Sequence, residues 1–248
     1  MKQPDGSSDG VPRLRPAPRL MVRESVYEAV KGLLMDHMLE PDTRLSIDGL
    51  ARDLQVSPTP VREALFRCEA EGLVIRRPNA GYSVAPLLDR SALAELYDVR
   101  LMLEPTAARL AAAQADSPAV ATIREVATMQ PDARGNTYDA YREFAQHDAH
   151  LHDVIAQASG NSLLAQTLLR LQAHTHSYRL YFHKGIAPET VDEHRAIVTA
   201  ITTGNEDGAE QAIRHHLEAS RQRLLDAYDS GAVQSGARRS AERAGDED

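Results

Sequence analysis

The sequence predicts a mostly α-helical protein in two parts, a winged helix-turn-helix followed by an all-α antiparallel bundle of about six helices. Three observations carry this. The run from Ser46 to Val84 reads as two short helices across a tight turn and then a β-hairpin. From Asp89 onward no strand-like alternation occurs, and apolar residues recur at helical spacing. Short breakers separate those helical stretches, and short connections make antiparallel neighbours.

The segment from Ser57 to Leu73 is the centre of the first part. Ser57 is placed to cap a helix N-terminus, and Pro58 and Pro60 fall in its first turn, where proline costs least. Val61, Ala64, Leu65 and Cys68 form its apolar face, and Gly72 ends it. Upstream, Ile47, Leu50, Ala51 and Leu54 share a face of a shorter helix, and Gln55-Val56 is the turn between the two. Downstream, Leu73 to Arg77 and Tyr82 to Val84 flank a Pro/Asn/Gly turn, the mark of a hairpin whose tip is Asn79 to Gly81. A further amphipathic helix over 20–39 places Val22, Val26, Val30, Leu33 and Leu34 on one face, and Pro41 to Leu45 turns the chain.

The second part is expected to hold helices near 89–115, 118–130, 137–158, 162–183, 188–203 and 206–228, with Pro105 kinking the first. These readings divide the chain into a polar, Pro-rich tail at 1–19, a winged helix at 20–86, a helical body at 87–229 and a polar tail at 230–248. Both tails are expected to be disordered.

Composition narrows the classes. The chain has 248 residues, 42% of them hydrophobic, with no Trp and three Phe, so its cores must be aliphatic. A single cysteine excludes a disulfide framework and fits a reducing, cytoplasmic setting. No run of 18 apolar residues exists, so no membrane partner is expected. The net charge is −8, and even Leu20 to Pro86 holds eight basic against ten acidic residues. Any contact with DNA must come from local positive spots such as Arg44, Arg52, Arg62, Arg76 and Arg77.

The stretch LSIDGLARDLQVSPTPVREALFRCEAEGLVIRRPNAGYSV resembles the DNA-binding domain of GntR-family transcription regulators. The matching features are L-S-x-x-x-L-A, V-S-x-T-P-V-R-E-A-L, E-G-L-V and the later G-x-x-V. The second part resembles the effector-binding (FCD) domain of the FadR-like subfamily. That likeness rests on Leu96 to Pro105, Asp148-Ala149-His150-Leu151-His152, Ala158 to Asn161, Glu193 to Ile197 and His216-Leu217. Six helices rather than seven fit its VanR-type group. The resemblance implies a homodimeric, ligand-responsive transcriptional repressor on a short inverted-repeat DNA operator. Arg44, Ser57, Thr59, Arg62, Arg76, Asn79 and Gly81 would contact DNA, and an Arg in a major groove most often reads guanine.

The resemblance also implies a divalent metal on Asp148, His152, His194 and His216. Asp148 and His152, four apart, face one way on a helix. Three imidazoles and a carboxylate suit Zn²⁺ or Ni²⁺, with Mn²⁺ less favoured. A small carboxylate effector would bind there, with Arg100 and Asn161 as candidate contacts. Arg100 equally fits an internal ion pair with Glu104 or Asp98.

Three departures from the family pattern stand out. Pro58 occupies a position that is often basic, Asp48 one that is sometimes Arg, and Asp42 one that is commonly Gly. The alternative class is an enzyme, but the chain lacks H-E-x-x-H and the E-x-x-H pairs of di-iron bundles, and no Ser or Cys has a nucleophile context. A structural-metal bundle with constitutive DNA binding is the other.

Overall fold

A computed structural model describes residues 18–78, 80–129, 138–181 and 188–230. The expected tails at 1–19 and 230–248 fall almost wholly outside the described residues, and so does Asn79. Helix α1 (Pro18–Met35) leads into strand β1 (Arg44–Leu45), helices α2 (Ile47–Asp53) and α3 (Pro58–Ala70), and strands β2 (Val74–Arg77) and β3 (Gly81–Val84). The strand order is β1-β3-β2, antiparallel throughout, with Arg77 opposite Gly81 at the wing tip and Arg44 opposite Ser83. The sequence reading treated residues 41–45 only as a turn; they supply the third strand.

The winged-helix core is aliphatic. Val26, Val30 and Leu34 of α1 pack on Leu50, Ala51, Val61, Ala64, Leu65 and Cys68. Val22, expected on that face, is 42% exposed. Cys68 is fully buried, and burial pushes its thiol up to about 12, so it serves as a small hydrophobe.

The two ends of α3 differ in how far they follow expectation. Ser57 sits at the N-cap, but its side chain makes no capping bond. The usual donor is the N–H of the third helical residue, and Pro60 has none. Ser46 does cap α2, accepting from Gly49 N–H at 3.0 Å. At the C-terminus, Gly72 takes φ +71°, with Leu73 N–H bonded to Cys68 O and Gly72 N–H to Glu69 O. This is a Schellman stop. Gln55 ends α2 in the same left-handed way at φ +54°, and Asp42 adopts φ +65°, the conformation a glycine takes without strain.

The helical body comprises α4 (Arg90–Ala112), α5 (Pro118–Thr128), α6 (Tyr138–Ala158), α7 (Ser162–Leu171), α8 (Ala173–Tyr181), α9 (Pro188–Thr202) and α10 (Glu206–Asp229). The expected single helix over 162–183 is two, because Gln172 turns left-handed at φ +50° and stops α7. Among the described residues the body therefore holds seven helices, close to the about six expected. Helix α4 runs continuously through Pro105. Its long face against α10 and α9 builds a core of Leu93, Tyr97, Ile123, Leu151, Ile155, Ile197, Ile201, Ile213 and Leu217. Among the described residues, no helix is long and apolar enough to cross a membrane.

Helix α8 touches both parts. Arg179, itself buried, donates through Nη2 to Ala85 O at 2.7 Å, just past β3. His37 Nε2–H donates to Arg179 O at 2.8 Å.

Candidate metal centre and nucleic-acid interface

Helices α6, α9 and α10 bring Asp148, His152, His194 and His216 together, with one ligand atom from each lying within 4.8 Å of all the others. The helical period explains the first pair, since residues four apart stand one above the other. His194 and His216 come from helices that cross the same point of the bundle and are almost fully buried. Phe144 lies parallel to the His194 ring at 6.0 Å.

Three of the four candidate ligands are held from behind, and His194 is not: both its ring nitrogens are buried without a hydrogen bond. His152 Nδ1–H donates to Glu104 Oε2 at 2.5 Å, and Arg100 Nε donates to Glu104 Oε1 at 2.6 Å. His216 Nδ1–H donates to Glu193 Oε2 at 2.8 Å, and Arg223 forks onto Glu193 at 2.8 and 3.0 Å. His174 Nδ1–H donates to Asp148 Oδ2 at 2.8 Å. These bonds set tautomer and ring orientation and leave Nε2 of His152 and of His216 as ligand atoms.

The inner atoms are left without partners. Asp148 Oδ1, His152 Nε2 and His194 Nε2 are buried and make no hydrogen bond. His194 Nε2 lies 2.9 Å from Asp148 Oδ1 without hydrogen-bond alignment, and His152 Nε2 lies 3.8 Å from it. Two donors about 2.1 Å from a shared ion at right angles would stand about 3 Å apart. Orphaned, convergent, buried polar atoms are costly unless something satisfies them. The donor set therefore fits a divalent cation.

Electrostatics keep the site in its binding form. Burial depresses His152 and pulls His216 down to about 4, so both imidazoles are neutral at pH 7. Burial would raise the Asp148 carboxyl, but His174, His194 and His152 outweigh it and hold it well below the usual range. Burial likewise opposes ionisation of Glu104, and Arg100 and His152 override it. Glu193 is held at about 2 against its own burial by His216 and Arg223.

A cavity of about 110 Å³ adjoins the cluster, lined by Glu104, His152 and His174 and by the aliphatic Leu168 and Leu171. Neither effector candidate lines it. Asn161 is exposed and caps α7, accepting from Leu164 N–H at 3.1 Å. Arg100 turns its Nε to Glu104, the internal ion pair that was one of its two readings, and its Nη2 has no partner. The sequence carries no sign of the roles of His174 and Arg223, and marks Glu193 only as part of the family pattern and Glu104 only as a possible partner of Arg100. Only the four-residue spacing of Arg100 and Glu104 could have signalled any of these contacts.

The DNA-facing candidates behave differently. Arg44, Ser57, Thr59, Arg62, Arg76 and Gly81 are all exposed, and Arg44, Arg62 and Arg76 form no ion pair among the described residues. Asn79 lies outside the described residues. Gly81 takes φ +80° at the wing turn, open to its surroundings. Arg77 sits 3.7 Å from Asp42.

A winged helix with an open recognition face, joined to a helical body that holds a buried His₃Asp cluster beside a cavity, is the build of a DNA-binding transcriptional regulator with a sensing domain. The chain belongs to the GntR family of bacterial regulatory proteins, matched over residues 22–84, and carries the FCD domain over residues 95–219. It is a transcriptional regulator and not an enzyme. It is 31% identical over 206 residues to the HTH-type transcriptional regulator LutR of Bacillus subtilis (strain 168), covering 72% of this chain and 90% of LutR. It is 26% identical over 198 residues to the Nta operon transcriptional regulator of Aminobacter aminovorans, covering 78% and 90% of the two chains. The solved structure of E. coli McbR/YncC shares the fold with a TM-score of 0.65 at 21% identity, over 84% of this chain and 98% of that one.

Proposed function

We propose that the protein is a cytoplasmic, homodimeric repressor that binds a short inverted-repeat operator and answers to a small carboxylate metabolite. A divalent metal, Zn²⁺ by the softness of the donors with Ni²⁺ or Mn²⁺ as alternatives, would be held by Asp148, His152, His194 and His216. The observation that carries this reading is the convergence of partnerless ligand atoms beside a cavity. A bound ion would supply a cationic anchor with open positions for a carboxylate. Asp148 keeps 22% of its side chain exposed, which leaves an approach. Arg100 acts on this site through Glu104 and His152.

Effector binding must distinguish two arrangements of the protein to change operator affinity. Helix α8 supports such a link. His174 at one end holds Asp148, and Arg179 at the other is bonded to Ala85 and His37 of the winged-helix part. On DNA, Arg62 reads a guanine in each half-site, with Arg44, Ser57, Thr59, Arg76, Asn79 and Gly81 placing the helix and wing.

The test is fluorescence anisotropy on the promoter fragment footprinted by the protein, titrated with carboxylates handled by the neighbouring genes. One of them should shift wild-type affinity several-fold, and Arg179→Met should bind the fragment normally with a reduced shift. Constant affinity with every carboxylate would favour a constitutive DNA binder with a structural metal.

A further inference from the structure

Helix α3 has one large apolar side chain that the fold leaves uncovered. Val61, Ala64, Leu65 and Cys68 are at most 1% exposed, whereas Phe66 is 65% exposed. Its position is not arbitrary. Thr59, Arg62 and Phe66 follow one another at spacings of three and four, so they form a single stripe on the outer face of the helix. A helix lying in a major groove presents a first residue and those three, four and seven positions further on to the base edges, as homeodomains do. Counting from Thr59, those are Arg62, Glu63 and Phe66.

The charged neighbours of Phe66 are tied back to α1. Glu63 pairs with Arg23 at 3.0 Å. Arg67 pairs with Glu24 at 2.8 Å and lies over the Tyr27 ring at 3.4 Å from its centroid. Neither competes with Phe66 for the outermost place on that turn. A phenyl ring has no donor for a phosphate or a base edge. In the major groove the apolar group of the ordinary base pairs is the thymine C5-methyl.

We infer that Phe66 is a specificity residue that reads a thymine methyl in each half-site, next to the guanine read by Arg62. This rests on the DNA-binding reading above. Four residues advance about 6 Å along the helix, and base pairs repeat every 3.4 Å or so. The thymine therefore lies roughly two base pairs from the guanine. Burying one methyl against an apolar surface is worth about a fourfold change in affinity.

The test starts from a randomised duplex pool selected with the full-length protein. The selected duplex is then remade with deoxyuridine at each thymine in turn, which deletes only the methyl group, and affinity is measured by anisotropy. Wild type should lose about fourfold at one thymine per half-site and little elsewhere. Phe66→Ala should bind the thymine and deoxyuridine duplexes alike while keeping the guanine preference, and Phe66→Leu should keep part of the penalty. Thermal melting of both variants should stay close to wild type, since Phe66 is 65% exposed. The assignment is overturned if no thymine shows a methyl penalty with wild type, or if the penalty persists undiminished in Phe66→Ala. Recovery of no consensus at all by wild type would overturn the sequence-specific reading of α3, and this assignment with it. Loss of the guanine preference in Arg62→Ala, with the methyl penalty intact, would support Phe66 independently of Arg62.

Discussion

The two functional faces of this chain are built on opposite terms. On α3 the proposed DNA contacts are exposed and loosely held: Arg62 has no ion pair among the described residues and Ser57 makes no cap. At the candidate metal cluster the Nδ1 atoms of His152 and His216 and one Asp148 oxygen are bonded from behind, while Asp148 Oδ1, His152 Nε2 and both His194 nitrogens have no partner. A surface that must search many duplex sequences keeps its side chains free. A cation site gains selectivity from donors fixed in advance, as His152 and His216 are here by Glu104 and Glu193. Substitutions should therefore act on binding alone in the first region and on binding and stability together in the second.

The largest separation should come from Arg62→Ala. Losing a guanine contact costs about 1–3 kcal/mol per half-site, doubled in an inverted repeat. Gel shifts should show specific binding falling at least tenfold while the melting temperature stays put; unchanged affinity would break the comparison at its first term. Next, Asp148→Ala should drop bound metal below one per chain by atomic emission. It should also abolish the metal-dependent rise in stability, which for wild type is about 3–4 kcal/mol at a hundred- to thousandfold excess over Kd. Full occupancy in that variant would remove the site.

A pH series on chelator-treated protein sharpens the contrast. His216 titrates near 4 when folded and near 6.5 when unfolded. The unfolded chain takes up the proton first, so the contribution is complete above pH 6.5 and is lost as pH falls toward 4. Its size is on the order of 3 kcal/mol. Urea denaturation should show that decline, shallower in His216→Gln; equal slopes would contradict it. The smallest effect is Asp42→Gly, which relieves a left-handed residue at φ +65° and should raise stability by up to about 1 kcal/mol, read as a small gain in urea midpoint.

The same contrast explains what could be read in advance. The winged helix is local: its cap residues, apolar faces and stops lie within one continuous stretch, so spacing alone places them. Its misses are local too, as at Ser57, where a proline three places on, Pro60, removes the donor the cap needs. The four candidate metal ligands could be picked out only through the family pattern, because α6, α9 and α10 meet only in the folded bundle. Their supporting bonds span 48, 26 and 23 residues, for Glu104 to His152, Asp148 to His174 and Glu193 to His216. No periodicity encodes such pairs. The break at Gln172 was equally invisible, since glutamine is a good helix former and carries no stop signal.

The prolines at the mouth of α3 have a consequence for how the protein grips DNA. A helix normally opens with four free backbone amides that can seat a phosphate. Here Pro58 and Pro60 delete two, leaving those of Ser57 and Thr59. In the proposed DNA complex the main chain would supply only half the usual clamp, leaving the depth and tilt of the helix to side chains. Exchanging Thr59 would then swing the whole element, and move Arg62 and Phe66 with it.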